Sequence, residues 1–194
     1  MEVDLCGHAT LASGHVIFEY VNRGLASIVF SSRSGDLLVE RKENLLFMDF
    51  PSRKPAPCVP PAGLASLLGA SPSPVFSSRD IMAVFEDENT VRNLAPDLAR
   101  VAELATFALI VTAPGKEADF VSRFFAPGAG VPEDPVTGSS HCTLIPYWAE
   151  RLGKTNLRAL QLSKRGGELF CAHKKDRVSI GGACVTYLAG TITI

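Results

Sequence analysis

The sequence predicts an α+β protein built from two similar halves, in each of which a mainly antiparallel sheet surrounds one central helix. Each half contains a helix-sized stretch that is uncharged over most of its length, and each stretch follows a loop that contains a glycine, Gly7 or Gly138. Short segments typical of strands, separated by turns, flank both stretches. A surface helix normally carries a polar face, so an uncharged helix is expected to be enclosed on all sides by the sheet.

The first half is predicted to contain one helix and three strands. Residues 9–20 carry no charge until Glu19 and form the helix. Turn residues at 34–36 and 43–44 separate the strands that follow. Val3 and Leu5 resemble the end of a strand whose beginning is missing, so this half is expected to be incomplete. The strands are predicted at residues 27–31, 36–42 and 45–50.

A proline-rich segment, residues 51–61, is the predicted boundary between two domains, because such segments form extended, semi-rigid connectors. The N-terminal domain would comprise residues 1–52 and the C-terminal domain residues 53–194. The last strand of the chain is a candidate to return to the first domain.

The second half is predicted to contain more elements around its uncharged helix, which follows Thr137 and stops at Gly153. Pro146 requires that this helix begins near Cys142 or is kinked at the proline. Two shorter helices are predicted at residues 62–68 and 96–104. Strands are predicted at residues 75–76, 81–85, 107–112, 120–125, 159–163, 168–173, 177–180 and 183–194.

Composition excludes several classes of protein. Apolar residues make up 46% of the chain and the net charge is -1, which excludes a disordered chain and disfavours a nucleic-acid-binding protein. Residues 55–78 form the longest uncharged run, but six prolines interrupt it, so no membrane span is expected. Five dispersed cysteines without a CxxC pattern predict reduced thiols in a cytoplasmic protein. The four histidines lack the spacing of metal ligands, so no metal is expected.

The two glycine-containing loops are candidates for an anion site. Each loop leads into a helix N-terminus, where the first N–H groups lack helical partners and the helix dipole adds partial positive charge. Glycine at positions 7 and 138 lets a ligand approach the backbone closely. Two such termini facing each other would bind a carboxylate without a metal. The alternative is that both glycines are ordinary turn residues.

Three polar side chains lie at these loops. His8 can act as a general acid or hydrogen-bond donor, although it can equally cap a helix. Asp134 can accept a proton, or can be an Asx-turn residue before Pro135. Ser139 can donate to a substrate carboxylate, or can act as an N-cap. Their occurrence at two matched loops favours a site.

The sequence resembles the PhzF family, the phenazine-biosynthesis-like isomerases, along essentially its whole length. The resemblance rests on EVDLCGHATLA from Glu2 and EDPVTGSSH from Glu133, with further similarity around Tyr147-Trp148, Gln161–Leu169 and Gly181–Val185. It implies a diaminopimelate-epimerase-like fold of two pseudo-symmetric halves, with the active site in the cleft between them. It also implies a homodimer without metal or organic cofactor.

The resemblance further implies a cofactor-independent isomerase that shifts a proton on a small carboxylate-bearing metabolite. Carried over by motif, the catalytic residues are His8, Asp134 and Ser139, and the substrate-binding residues are Gly7, Gly138 and Ser140.

One element of the family pattern is absent. The proton-transferring glutamate of the family lies in a Ser-Glu-Thr-Ala-Phe type motif upstream of the first loop, and no such motif occurs in this sequence. The chain is therefore expected to be cut at its N-terminus, and an inactive ligand-binding or oligomer-forming protein is the alternative function. Two-thiol racemisation is not expected, because Cys6 at the first helix end is matched by Thr137, whose hydroxyl is too weak an acid.

Overall fold

A computed structural model describes residues 6–33, 35–191 and 193 of the chain. The strand end predicted at Val3 and Leu5 lies outside these residues. The helix and the three strands predicted after them are confirmed. They are α1 (Gly7–Val16), which continues as a π-helical segment at Ile17–Val21, and β1 (Ser27–Ser32), β2 (Gly35–Lys42) and β3 (Leu45–Pro51).

The remainder of the chain alternates strands with helices, most of them short. Helix α5 is the long exception, and Gly153 ends it in the left-handed conformation, as predicted. The elements are β4 (Ala56–Pro57), α2 (Leu64–Leu68), β5 (Val75–Ser77), β6 (Ile81–Val84), α3 (Glu88–Asn93), α4 (Leu98–Ala102), β7 (Leu109–Pro114), β8 (Phe120–Phe125), a 3-10 turn (Pro127–Ala129), α5 (Gly138–Leu152), β9 (Asn156–Gln161), β10 (Gly167–Lys174) and β11 (Arg177–Gly182).

The eleven strands of the described residues form one sheet in the order β1-β2-β3-β11-β10-β9-β8-β7-β6-β5-β4. All neighbours are antiparallel except β6–β7 and β8–β9. Strand β11 pairs with β3, with Arg177 opposite Pro51 and Gly182 opposite Leu46, so the sheet is continuous across the predicted boundary at residue 52. The α+β class with a mainly antiparallel sheet is confirmed, and the division into two domains stays a prediction.

The central part of the sheet is buried on both faces. On β7, Ile110 belongs to a core that includes Trp148 of α5, whereas Leu109 and Val111 belong to a second core beneath α2, α3 and α4. This alternation follows from the two-residue period of a strand. The Trp148 indole stacks on Phe120 and its Nε1 donates a hydrogen bond to the Thr112 hydroxyl at 2.9 Å.

Helix α5 is enclosed, as its lack of charge predicts. Its residues from Ser140 to Pro146 are all buried. The helix is continuous through Pro146, which leaves the carbonyl of Cys142 without its usual N–H donor. The backbone N–H of Arg53 donates to that carbonyl at 2.8 Å. The segment after β3 therefore satisfies the group that the proline frees, and the helix starts at Gly138 rather than near Cys142.

The prediction that α1 is enclosed on all sides is wrong for the described residues. Gly14 is its only buried residue, and Val16 is half exposed. The helix packs with one side on β2 and β3, where a Cβ at Gly14 would lie 3.0 Å from Val39 Cγ1. Within the described part of the chain no element covers the opposite side.

The strand predicted at residues 183–194 is also wrong over the residues described there, 183–191 and 193, which are not in a strand. The pairing of β11 with its two neighbours ends at Gly182. Beyond it, the Thr186 hydroxyl instead contacts His15 Nε2 at 3.0 Å and the Tyr20 hydroxyl at 2.7 Å.

Two helices differ from the sequence-based expectation. The helix predicted at residues 96–104 is shorter, since α4 covers Leu98–Ala102. The sequence patterns predict no helix at α3.

Candidate functional site

The first turns of α1 and α5 meet at their glycines. A Cβ placed on Gly7 would lie 3.6 Å from the Cα of Gly138, and Phe50 of β3 lies against both positions. The N-cap residues, Cys6 and Thr137, make no side-chain capping bond. The unpaired N–H groups of two helix ends therefore converge on one region, and both dipoles make that region electropositive.

A cavity of about 340 Å³ lies beside the two helix ends. This volume suits a small organic molecule. Two pairs of glycines, Gly166-Gly167 and Gly181-Gly182, form part of its wall. A side chain would not fit at two of these positions, because a Cβ on Gly167 would lie 2.1 Å from Val136 and one on Gly181 would lie 2.4 Å from Phe47. The lining consists of Gly7, His8, Leu11, Met48, Val136, Gly138, Gly166, Gly167, Glu168, Leu169, Phe170, Ile180, Gly181, Gly182 and Ala183.

The structure brings three of the six candidate residues to this cavity. Gly7, His8 and Gly138 line it. His8 is exposed and occupies the first turn of α1.

The other three candidates surround the end of α5 without lining the cavity. Asp134 Oδ2 accepts a hydrogen bond from the Thr137 hydroxyl at 2.5 Å. Ser139 Oγ accepts one from Arg79 Nη2 at 3.2 Å. The Ser140 side chain is buried, and its hydroxyl donates to the Thr137 carbonyl at 2.8 Å. Ser140 can therefore offer a ligand its backbone N–H, but not its hydroxyl.

Gln161, which sequence reasoning did not single out, holds the loop before α5. Its buried carboxamide accepts from the Thr137 N–H at 2.8 Å through Oε1. Its Nε2 donates to the Asp134 carbonyl at 2.8 Å and to the Thr137 hydroxyl at 3.1 Å. The only sequence signal is that Gln161 is the single glutamine of the chain, at the end of a strand within the family-like segment.

Arg79 is the second residue that the sequence did not indicate. It precedes β6 and contacts Ser139 across a separation of 60 residues. No motif spans such a distance, so only the folded chain reveals the pair.

The cysteines and the buried histidine near α5 are unsuited to acid–base chemistry. Burial raises the pKa of Cys142 to about 11, so its thiol stays protonated at neutral pH. Burial also raises the pKa of Cys171. It lowers the pKa of His141 to about 4, and the Nδ1 of this neutral ring donates to the Thr137 carbonyl at 2.7 Å. Cys6 and Thr137 occupy equivalent N-cap positions, which supports the argument against a two-thiol mechanism.

Residues 6–33, 35–191 and 193 contain no group of three or more histidine, cysteine or acidic side chains placed to hold a metal ion. None of the helices that these residues form has the length and apolarity that crossing a membrane requires.

Comparison with known proteins gives consistent results. The sequence profile of the PhzC-PhzF family, described as phenazine biosynthesis-like protein, matches residues 1–190. Two proteins of Pseudomonas aeruginosa, both named uncharacterized isomerase, are 49% and 46% identical; the matches cover 100% and 99% of this chain and 75% and 74% of those proteins.

A solved structure shares the fold. The chain superposes on a phenazine biosynthesis PhzC/PhzF protein from Clostridium difficile with a TM-score of 0.92 at 45% identity, over 100% of this chain and 75% of that one. The α+β fold of the PhzF family, which the resemblance implied, is therefore confirmed.

Proposed function

Because this chain belongs to the PhzC-PhzF family of phenazine biosynthesis-like proteins, we propose that it is a cofactor-independent isomerase acting on a small carboxylate-bearing metabolite. The convergence of two uncapped helix ends at Gly7 and Gly138, beside a cavity of about 340 Å³, is the observation that supports this proposal most strongly. The names of the two bacterial relatives agree with it.

The helix ends would bind the substrate carboxylate. Backbone N–H groups at Gly7 and Gly138 offer hydrogen bonds that are stronger to a charged oxygen than to a neutral one. The same groups stabilise negative charge that develops when a proton leaves the carbon next to the carboxylate. Apolar side chains of the cavity, such as Leu11, Met48 and Ile180, would contact the remainder of the molecule.

The polar side chains would move the proton. His8 lines the cavity, and histidine is the side chain that serves most often as a general acid or base. Asp134 is held beside the end of α5 by Thr137 and Gln161 and can serve as a base. The glutamate motif of the family is absent from this sequence. General acid–base help contributes about 10²–10⁴-fold in rate, which is the size of loss expected when either of these two side chains, His8 or Asp134, is removed.

A pair of matched ligands tests the proposed carboxylate site. Isothermal titration should show binding of 2-aminobenzoate and much weaker binding of 2-aminobenzamide, which has the same ring without the charge. Equal binding of both compounds, or binding of neither, would contradict the proposal.

Solvent exchange tests the chemistry. Cyclic amino acids with a hydrogen next to the carboxylate are incubated with the protein in D₂O and followed by NMR. Deuterium should be incorporated next to the carboxylate, and His8→Ala and Asp134→Ala should each reduce the rate of incorporation. Exchange that neither substitution changes would refute the assignment of these two residues.

Assembly without catalysis is the second candidate function, because exposed apolar residues lie on α1, on the π-helical segment and on the C-terminal segment. Val16, Tyr20 and Val21 are 50%, 60% and 72% exposed, and Val185 and Tyr187 are 85% and 98% exposed. Apolar surface of this kind favours association with another chain, so we also propose a homodimer.

Light scattering over a wide range of concentrations tests the homodimer. The mass should double, and Tyr187→Ser should weaken the dimer, whereas Val59→Ser, which replaces another exposed residue, should not. A monomer at all concentrations would refute assembly.

A cytoplasmic site of action is proposed as well. All five cysteines are free, which is usual for proteins kept in a reducing compartment. The net charge of -1 gives no support to nucleic-acid binding.

A further inference from the structure

Arg79 connects two parts of the fold at the end of α5. Its Nε and Nη2 donate to the two carboxylate oxygens of Asp80, each at 3.1 Å, and Nη2 also donates to Ser139 Oγ at 3.2 Å. The guanidinium lies over the ring of Phe107, 4.5 Å from its centroid. Asp80 is 1% exposed, so a buried carboxylate fixes the orientation of this arginine.

This contact restricts what the Ser139 hydroxyl can do. A guanidinium has five N–H donors and no acceptor, whereas a hydroxyl has one donor and two acceptor lone pairs. Ser139 must therefore accept from Arg79, and its own proton must point elsewhere. Among residues 6–33, 35–191 and 193, that proton has no acceptor.

We infer that Arg79 is a positioning residue, which makes Ser139 a hydrogen-bond donor toward an anionic ligand oxygen at the end of α5. The inference rests on the proposed function, because that function supplies the ligand. It adds that this position selects an acceptor group, a carboxylate or carbonyl oxygen, and rejects an amino or ammonium group. Arg79 acts through Ser139 and does not itself touch the ligand.

The contact can be tested without any ligand. In Ser139→Cys, the introduced thiol lies next to the guanidinium, which should lower its pKa and speed its reaction with iodoacetamide. Adding Arg79→Gln should slow that reaction about three- to tenfold at neutral pH, and Arg79→Lys should have a smaller effect. Peptide mass spectrometry distinguishes this thiol from the five native cysteines.

Arg100 provides a matched control. Its Nη1 donates to Ser66 Oγ at 3.1 Å, so Arg100→Gln removes another arginine–serine pair far from α5 in sequence. Arg100→Gln should leave the reactivity of the introduced thiol unchanged. If Arg79→Gln also leaves it unchanged, or if both variants slow it equally, the inference is wrong.

The functional part is tested with 2-aminobenzoate in a double-mutant cycle. Arg79→Gln should weaken binding about five- to tenfold when Ser139 is present and less than about twofold in Ser139→Ala. Equal losses in both backgrounds would show that Arg79 acts independently of Ser139 and would overturn the inference. Arg79→Lys keeps the positive charge beside Asp80 and is the control for a loss of binding that comes only from misfolding.

The two proposals fail in different ways. If the unmodified chain does not bind 2-aminobenzoate, the proposed function fails, and the role of Ser139 toward an anion is refuted with it. The iodoacetamide measurement then still decides whether Arg79 orients position 139. If the unmodified chain binds and the cycle shows no coupling, the inference about Arg79 fails and the proposed function stands.

Discussion

Gly138→Ala should separate ligand binding from stability. The position is helical with no left-handed φ, and an added Cβ would lie 3.7 Å from Gly7 Cα and 3.7 Å from Phe50 Cε2, which are ordinary van der Waals contacts. The fold therefore accommodates the methyl group. Because alanine restricts the unfolded chain more than glycine does, the free energy of unfolding should rise by about 0.4–1 kcal/mol.

The same methyl group should block the anion site. A carboxylate oxygen that accepts hydrogen bonds from both helix ends must approach each nitrogen to about 3 Å, and the added carbon occupies the gap between the glycines. Losing two bonds to a charged group, each worth about 1.5–3 kcal/mol, should weaken 2-aminobenzoate binding at least about a hundredfold.

Two measurements on one variant decide this prediction. Urea unfolding followed by the fluorescence of the single, buried tryptophan, Trp148, gives the stability, and isothermal titration gives the affinity. Gly128→Ala is the control, since its Cβ would also make only an ordinary contact, 3.6 Å from the Ala102 carbonyl, and Gly128 does not line the cavity. Affinity unchanged in Gly138→Ala would refute the reasoning about the helix ends, and a destabilised protein would refute the reasoning about packing.

Two further predictions concern buried polar groups. Burial lowers the pKa of His141 to about 4, below its unfolded value of about 6.5, so the unfolded state binds a proton first as the pH falls. The free energy of unfolding should therefore fall between pH 6.5 and 4, by about 2 kcal/mol from pH 7 to 5. Urea titrations of His141→Gln should lack this pH-dependent loss of stability. The same pH dependence in both proteins would contradict the prediction. Gln161→Met should cost about 2–4 kcal/mol by urea unfolding, because three hydrogen bonds are lost and the N–H of Thr137 is left buried without an acceptor. The control is Asn156→Leu, at an exposed position on the same strand, which should change stability by less than about 0.5 kcal/mol. An equally small change in Gln161→Met would show that the loop before α5 does not depend on Gln161.

Local patterns predicted most of the elements correctly. The uncharged stretches gave both helices, turn residues separated β1 from β2 and β2 from β3, and Gly69 and Gly153 ended their helices in the left-handed conformation. These features depend on residues that are close in sequence, so the sequence carries them directly. Helix α3 also had a local signal, because Asp87 caps it by accepting from the Thr90 N–H.

Two errors have a common cause. The uncharged composition of residues 9–20 indicated an enclosed helix, and the apolar alternation after Gly182 indicated a strand. Both inferences require a neighbouring element to cover the helix or to pair with the strand. A single segment cannot reveal whether that neighbour is present.

Pro146 shows the same principle in the opposite direction. From the sequence, the proline required a late start or a kink in α5. In the structure the helix continues, because the N–H of Arg53, 89 residues before Cys142 in the sequence, donates to the Cys142 carbonyl.

The sequence by itself determined the order of the elements, the two glycine-containing loops and the residue types at each helix end. Only the tertiary structure decided that Gly7 lies next to Gly138 and that Arg79 donates to Ser139. It also decided that the Ser140 hydroxyl is used in a bond to the Thr137 carbonyl. The physical reason is the sequence separation over which the interactions act. Helix and turn formation depends on interactions between residues that are close in sequence. An anion site between two helix ends instead requires the pairing of strands such as β3 and β11, which are distant in the chain.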